Sequence, residues 1–182
     1  GTEVSIYDPG VRGFSITNGD HREASSRIFR EILEELHAGA DPERPTAQQI
    51  IDVKAEAKKR LKTDPSLLAL NPEIANIDPS SMVLGYYGRL VDEKAGRERA
   101  FTNDNIRALV KAGVTVIHAG NVQSHTQAMH DELMALAAEV NQPGQKGRLI
   151  VLTGWSLPEQ IKLLAATDLQ MQDSDRGTEA AG

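Results

Sequence analysis

The sequence contains no cysteine and few aromatic residues. Among 182 residues none is Cys, and Phe, Trp and Tyr together make up 4%. The lack of cysteine excludes disulfides and thiolate metal sites, and it is compatible with a reducing compartment. No apolar run approaches the ~20 residues of a membrane span, and no signal-peptide core opens the chain. We therefore expect a cytoplasmic protein with an aliphatic core and no membrane partner.

The chain also lacks an excess of basic residues. It has 26 acidic against 20 basic side chains, a net charge of −6. Nonspecific nucleic-acid binding requires an excess of Lys and Arg, so no nucleic-acid partner is expected. The charge balance still permits a local basic pocket for one phosphate. The hydrophobic and charged fractions, 40% and 25%, are typical of a globular protein.

Residues 1–81 predict two helices and a connecting segment. The first helix spans about 22–37, and the second begins at Thr46, where Gln49 completes a capping box. Asp64-Pro65 is interpreted as the end of the second helix. The prolines and asparagines of 63–81 indicate a loop over a surface, and the sequence leaves open whether residues 1–81 pack on the rest or form a linker.

From residue 82 onward, apolar runs alternate with amphipathic stretches. The predicted strands are 82–87, 114–118, 148–153 and 169–172, and the predicted helices are capped by Thr102, Ser124 and Ser156. Short connections of this kind favour parallel strands with right-handed crossovers. The fold class is therefore α/β, a Rossmann-like parallel sheet with flanking helices, in a domain 82–182 that is truncated at its C-terminus.

The loop after the first of these strands is the longest, from Gly88 to Phe101. Ligands of open parallel sheets collect at the carboxyl ends of the strands. Arg89 can bind a phosphate with two parallel donors, and Lys94 adds a point charge. A solvated loop with ordinary surface charges is the alternative.

Further candidate ligand contacts follow the later strands. Glu179 lies among small residues, so it can accept hydrogen bonds from sugar hydroxyls while the backbone of Gly182 approaches a bound sugar. A flexible tail is the alternative there. His118, predicted to end its strand before Gly120, is either a ligand contact or a packed histidine. Trp155 either covers a sugar face or packs against the following helix.

Several catalytic motifs are missing. No G-x-G-x-x-G follows strand 82–87, and no Walker loop, G-x-S-x-G elbow or H-E-x-x-H is present. His125 and His130 are five positions apart, which is off the spacing that aligns two ligands on a helix. No metal site is assigned.

Two segments carry a family resemblance. Residues 88–94, G-R-L-V-D-E-K, resemble the donor-phosphate motif of retaining GT-B glycosyltransferases, and residues 177–182, G-T-E-A-A-G, are similar to the Gly-Thr-Glu-Ala-Ser-Gly segment of α-glucan (glycogen/maltodextrin) phosphorylases. His118-Ala119-Gly120 matches the strand-end glycine of that family. Two departures are Asn121, where phosphorylases usually have Lys, and Ala181, where they have Ser. Residues 90–93 look more like glycogen synthases.

The resemblance implies a hexosyltransferase that holds a sugar phosphate or nucleotide sugar and an α-glucan. Arg89 and Lys94 would be catalytic, and the implied substrate-binding residues are Gly88, His118, Gly120, Glu179, Ala180 and Gly182. No cofactor is implied within these residues. Pyridoxal phosphate would apply to the full-length protein only if it is a phosphorylase, because the family's cofactor lysine lies beyond residue 182.

The resemblance further implies a missing N-terminal domain that supplies the acceptor side of the cleft, so this fragment alone should be inactive. A homo-oligomer is left open. The alternative from a different class is a noncatalytic α/β module that binds a phosphorylated small ligand or serves as a subunit interface. Epimerase-like GT-B chemistry is a third reading.

Overall fold

A computed structural model of the chain describes residues 19–89, 102–122 and 126–171. A 3₁₀ helix spans Pro72–Asn76. The helices are α1 (Gly19–Leu36), α2 (Ala47–Leu61), α3 (Pro65–Leu70), α4 (Asn103–Lys111), α5 (Gln127–Val140) and α6 (Leu157–Ala166). The strands are β1 (Val83–Arg89), β2 (Thr115–Asn121), β3 (Leu149–Leu152) and β4 (Leu169–Gln170).

The four strands form one parallel sheet in the order β3-β2-β1-β4. The chain moves outward from β1 to β3 and then crosses back to place β4 on the other side of β1. The predicted α/β class with a Rossmann-like parallel sheet is confirmed. The strand order reverses between β1 and β4, and this reversal is the topological switch point of the sheet.

Helices cover both faces of the sheet. The front face packs Val83, Ile117 and Ile150 against α1, α2 and α6. The back face packs Leu84 and Val116 against α4 and α5. Strands that are buried on both faces consist mostly of apolar residues, so they form continuous apolar runs in the sequence. These runs are the signal from which the strands were predicted.

The N-terminal helices are part of the front-face core. Phe29, Ile32 and Leu33 of α1 and Val53 and Leu61 of α2 belong to the same buried cluster as the front face of the sheet. Both helices also contact α6. Residues on both sides of the predicted boundary at 81/82 therefore share one apolar cluster, and the described part of the first 81 residues packs on the sheet.

The segment 63–81 corrects the expectation of a surface loop. Asp64 follows the end of α2 and caps α3, since its carboxylate accepts a hydrogen bond from the backbone N–H of Ser66 at 3.0 Å. Asn71 caps the 3₁₀ helix in the same way. In both places proline follows the cap, where its missing N–H costs nothing. The segment contributes Leu67, Ile74 and Ile77, all fully buried, to the front-face core.

Other boundaries follow their local signals. The capping boxes predicted at Thr46/Gln49 and Ser156/Glu159 are present. The predicted cap of α5, Ser124, lies outside the described residues, and Thr126 holds the cap position, where its side chain does not accept from the first turn of the helix. Within the described parts of the chain, no helix has the length and apolarity needed to cross a bilayer.

Candidate functional site

The carboxyl edge of the sheet is formed by the ends of its parallel strands. Gly88 and Arg89 are the last two residues of β1, and their register partners on β2 are Gly120 and Asn121. On its other side β1 pairs with β4, with Gly85 opposite Gln170. The predicted site residues Gly88, Arg89 and Gly120 therefore lie together at this edge.

Other predicted site residues lie outside the described residues. These are Lys94, Glu179, Ala180 and Gly182. In sequence, Lys94 follows the end of β1 and Glu179 follows the end of β4. β1 and β4 are neighbours in the sheet, so these two parts of the sequence follow adjacent strands. Their ligand contacts stay predictions.

His118 does not end its strand, which corrects the expectation from the sequence. β2 continues for three residues to Asn121, because Ala119, Gly120 and Asn121 pair in register with β1. The His118 side chain is 2% exposed, and its ring lies 4.7 Å from that of Tyr86 on the neighbouring strand. Burial lowers the pKa of His118 to about 4, so the ring is neutral at pH 7. The ligand contact that the resemblance implies for His118 stays a prediction.

A tyrosine lies over a glycine on β1, and sequence reasoning missed this pair. A Cβ added at Gly85 would fall 2.8 Å from Cζ and from the hydroxyl oxygen of Tyr87. The Tyr87 hydroxyl lies 2.6 Å from Oγ1 of Thr167, and the Thr167 hydroxyl donates to the carbonyl of Leu163 at 2.8 Å. Tyr87 is therefore the donor to Thr167. Burial raises the pKa of Tyr87 above its usual value, which keeps this donor protonated.

This contact gives Gly85 an internal role. The glycine leaves space for the ring that follows two residues later, so the ring reaches from β1 to Thr167 at the end of α6. From the sequence alone, residues 82–87 predict only a strand that leads into the loop from Gly88 to Phe101. Alternation along the strand, which places residues 85 and 87 on one face, is the signal that predicts the contact.

Two buried lysines at the opposite, amino end of the sheet were also missed. Lys54 donates to the carbonyls of Ala165 and Thr167 at 2.9 and 2.7 Å, at the end of α6. Burial lowers its pKa to about 7, with the nearby Asp168 opposing that shift. A cation that faces the last carbonyls of a helix is favoured by the helix dipole.

Lys58, one turn further along α2, anchors the starts of two strands. Its ammonium donates to the carbonyl of Ser81 at 2.7 Å and to Oδ2 of Asp168 at 2.6 Å. The same Asp168 oxygen accepts the backbone N–H of Val83 at 2.6 Å. Lys54 and Lys58 line a groove of about 620 Å³ between α2 and the turn before β1. Their bonds to main-chain carbonyls and to Asp168 show that they join helices to strands.

Trp155 lies in the loop between β3 and α6, at the carboxyl edge. Gly154 before it has φ of +68°, a conformation that favours glycine, and the helix after it begins with Glu159 accepting the N–H of Ser156 at 2.7 Å. The indole is half-buried and packs against the front-face core. Its Nε1 atom is buried and finds no acceptor among the described residues.

The fold and edge define the class of protein: an α/β protein with a Rossmann-like parallel sheet and a switch point beside β1. A comparison of the chain with protein-family models matched none of them, and a comparison with curated proteins found no match. Among the described residues, no group of three or more His, Asp or Glu side chains is arranged to hold a metal ion. The assignment of function therefore depends on the topology and on the two sequence motifs.

Proposed function

We propose that this chain is the donor-binding part of a retaining glycosyltransferase of GT-B type, related to α-glucan phosphorylases or glycogen synthases. The observation that carries the proposal is the adjacency of β1 and β4 at the switch point. The segment with Arg89 and Lys94 follows β1, and the segment with Glu179 follows β4. Ligands of open α/β sheets bind where the strand order reverses.

The two cations and the carboxylate suit different parts of one donor. Negative charge grows on the phosphate oxygen when the bond to the sugar breaks, and fixed cations stabilise that charge. Arg89 and Lys94 supply such cations. Glu179 accepts hydrogen bonds from sugar hydroxyls and orients the glucosyl unit. Positions 88 and 120 are glycines, and glycine suits close approach of a ligand to the backbone.

The proposal is tested first by binding. ADP-glucose, UDP-glucose and glucose 1-phosphate are each titrated into the chain by calorimetry. The Arg89→Ala/Lys94→Ala variant should bind the accepted donor at least about 100-fold more weakly, because each lost charge-assisted hydrogen bond costs about 1.5–3 kcal/mol. A matched control, Arg44→Ala/Lys111→Ala, removes the same charge from exposed positions elsewhere and should bind as the unsubstituted chain does.

Catalysis is tested in the longest natural polypeptide that carries these residues. Glucosyl transfer from a nucleotide sugar to glycogen and phosphorolysis of glycogen are measured for the same variants. Full activity in the Arg89→Ala/Lys94→Ala variant would contradict the proposal. Donor binding without either reaction would favour the noncatalytic α/β module.

A further inference from the structure

The indole N–H of Trp155, which finds no acceptor in the part of the chain that the structure describes, is the feature that extends the proposed function. A buried donor without an acceptor costs about 1–3 kcal/mol, and such groups are rare in folded proteins. Trp155 is held in place by Gly154, by the capped start of α6 and by the front-face core. The N–H is therefore a fixed donor at the edge where ligands of parallel sheets bind.

A second unpaired polar atom belongs to the same face of the sheet. Gln170 is in register with Gly85, over which the Tyr87 ring lies on the front face. Its Oε1 atom is buried and has no donor among the described residues. Gln170 lies on β4 and Trp155 follows β3, and these are the two outer strands of the sheet, so the two atoms do not belong to one sugar-sized site. A hydroxyl group both accepts and donates, so a sugar hydroxyl suits the indole N–H by itself.

We infer that Trp155 is a ligand-binding residue whose indole N–H donates to a hydroxyl oxygen of the bound sugar donor. The inference rests on the proposed function, because that function supplies a sugar at this edge. It assigns to the loop between β3 and α6 a part in sugar recognition that neither sequence motif contains. The indole would distinguish a hydroxyl from a hydrogen at the position it contacts.

The chain has one tryptophan, which makes the test direct. Addition of the accepted donor should change the emission of Trp155. Two variants remove the N–H: Trp155→Phe, and replacement of Trp155 by 3-benzothienylalanine, which keeps the bicyclic shape. In calorimetry both should bind the donor about 2- to 12-fold more weakly, as expected for loss of one neutral hydrogen bond. A control, Leu157→Ala, changes an exposed neighbour and should leave the affinity unchanged.

Unchanged donor affinity in the benzothienylalanine variant would overturn the inference, and a lowered melting temperature there would show that the acceptor belongs to the chain itself or to a bound water. If Arg89→Ala/Lys94→Ala weakens binding while this variant does not, only the role of Trp155 fails. If the unsubstituted chain binds none of the three donors, both the inference and the proposed function fail.

Discussion

Gly85→Ala tests the contact between β1 and Thr167 at the end of α6. The new Cβ would lie 2.8 Å from Cζ of Tyr87, well inside van der Waals contact, so the ring must move. Its hydroxyl is held by Thr167 at 2.6 Å, and movement breaks that bond. The substitution therefore acts through the tyrosine and not through the backbone of β1.

The magnitude follows from three contributions. Overpacking costs about 1–3 kcal/mol and a buried hydroxyl without a partner costs about 1–3 kcal/mol, while alanine gains about 0.5–1 kcal/mol over glycine within a strand. We expect a net loss near ~3 kcal/mol in the free energy of unfolding. Urea denaturation followed by far-ultraviolet circular dichroism measures it, and the slope with urea should be unchanged.

A double-mutant cycle provides the control. In a Tyr87→Ala background the space for the new methyl group exists, so Gly85→Ala should change the free energy of unfolding by less than about 1 kcal/mol. An equal loss in both backgrounds would refute the reasoning. It would show that β1 rejects any side chain at position 85 for a reason unrelated to Tyr87.

Three other predictions concern the titratable groups. Lys58→Met should lower the free energy of unfolding by about 3–5 kcal/mol, because it leaves the partly buried Asp168 carboxylate without its cation. Arg107→Ala, which removes an exposed ion pair, should change the free energy of unfolding little in the same urea titration. The pKa of Lys54 is lowered from 10.5 to about 7, so between these pH values the unfolded chain binds more protons than the folded chain. The free energy of unfolding should therefore rise with pH in this range, by up to ~1.4 kcal/mol per pH unit. This slope should be lost in Lys54→Met and should persist in Lys58→Met. Because the pKa of His118 is lowered to about 4, the contribution of this histidine to stability should be constant above about pH 6.5 and should fall as the pH drops from there toward 4. A His118→Gln variant that keeps the full acid dependence would exclude this histidine as its source.

Local signals predicted much of the fold. The capping boxes at Thr46 and Ser156 predicted the starts of α2 and α6, because such caps satisfy backbone N–H groups whatever surrounds them. The second helix ends just before Asp64-Pro65, as expected, but the sequence analysis missed that the same dipeptide opens α3. Local sequence does not distinguish these two uses when the intervening turn is short.

The tertiary contacts of the buried lysines could not be predicted from the periodicity of the sequence. Lys54 and Lys58 continue the buried stripe of α2 at a spacing of four, but periodicity alone does not show that a lysine amine finds carbonyls over 100 positions away. The carboxyl edge of the candidate site was predictable, since the crossover rule places the ends of parallel strands together. Periodicity also does not show that the indole N–H of Trp155 lacks an acceptor within 19–89, 102–122 and 126–171.

The separation between Lys54 and its acceptors has a consequence for synthesis of the chain. Its partners lie 111 and 113 positions later, so α2 cannot reach its final bonds until that part of the polypeptide has left the ribosome. Contacts of such long range slow folding, and translation delivers the amino-terminal part first. The sides of α1 and α2 that pack on α6 and the sheet therefore lack these partners until the residues of α6 have been synthesised.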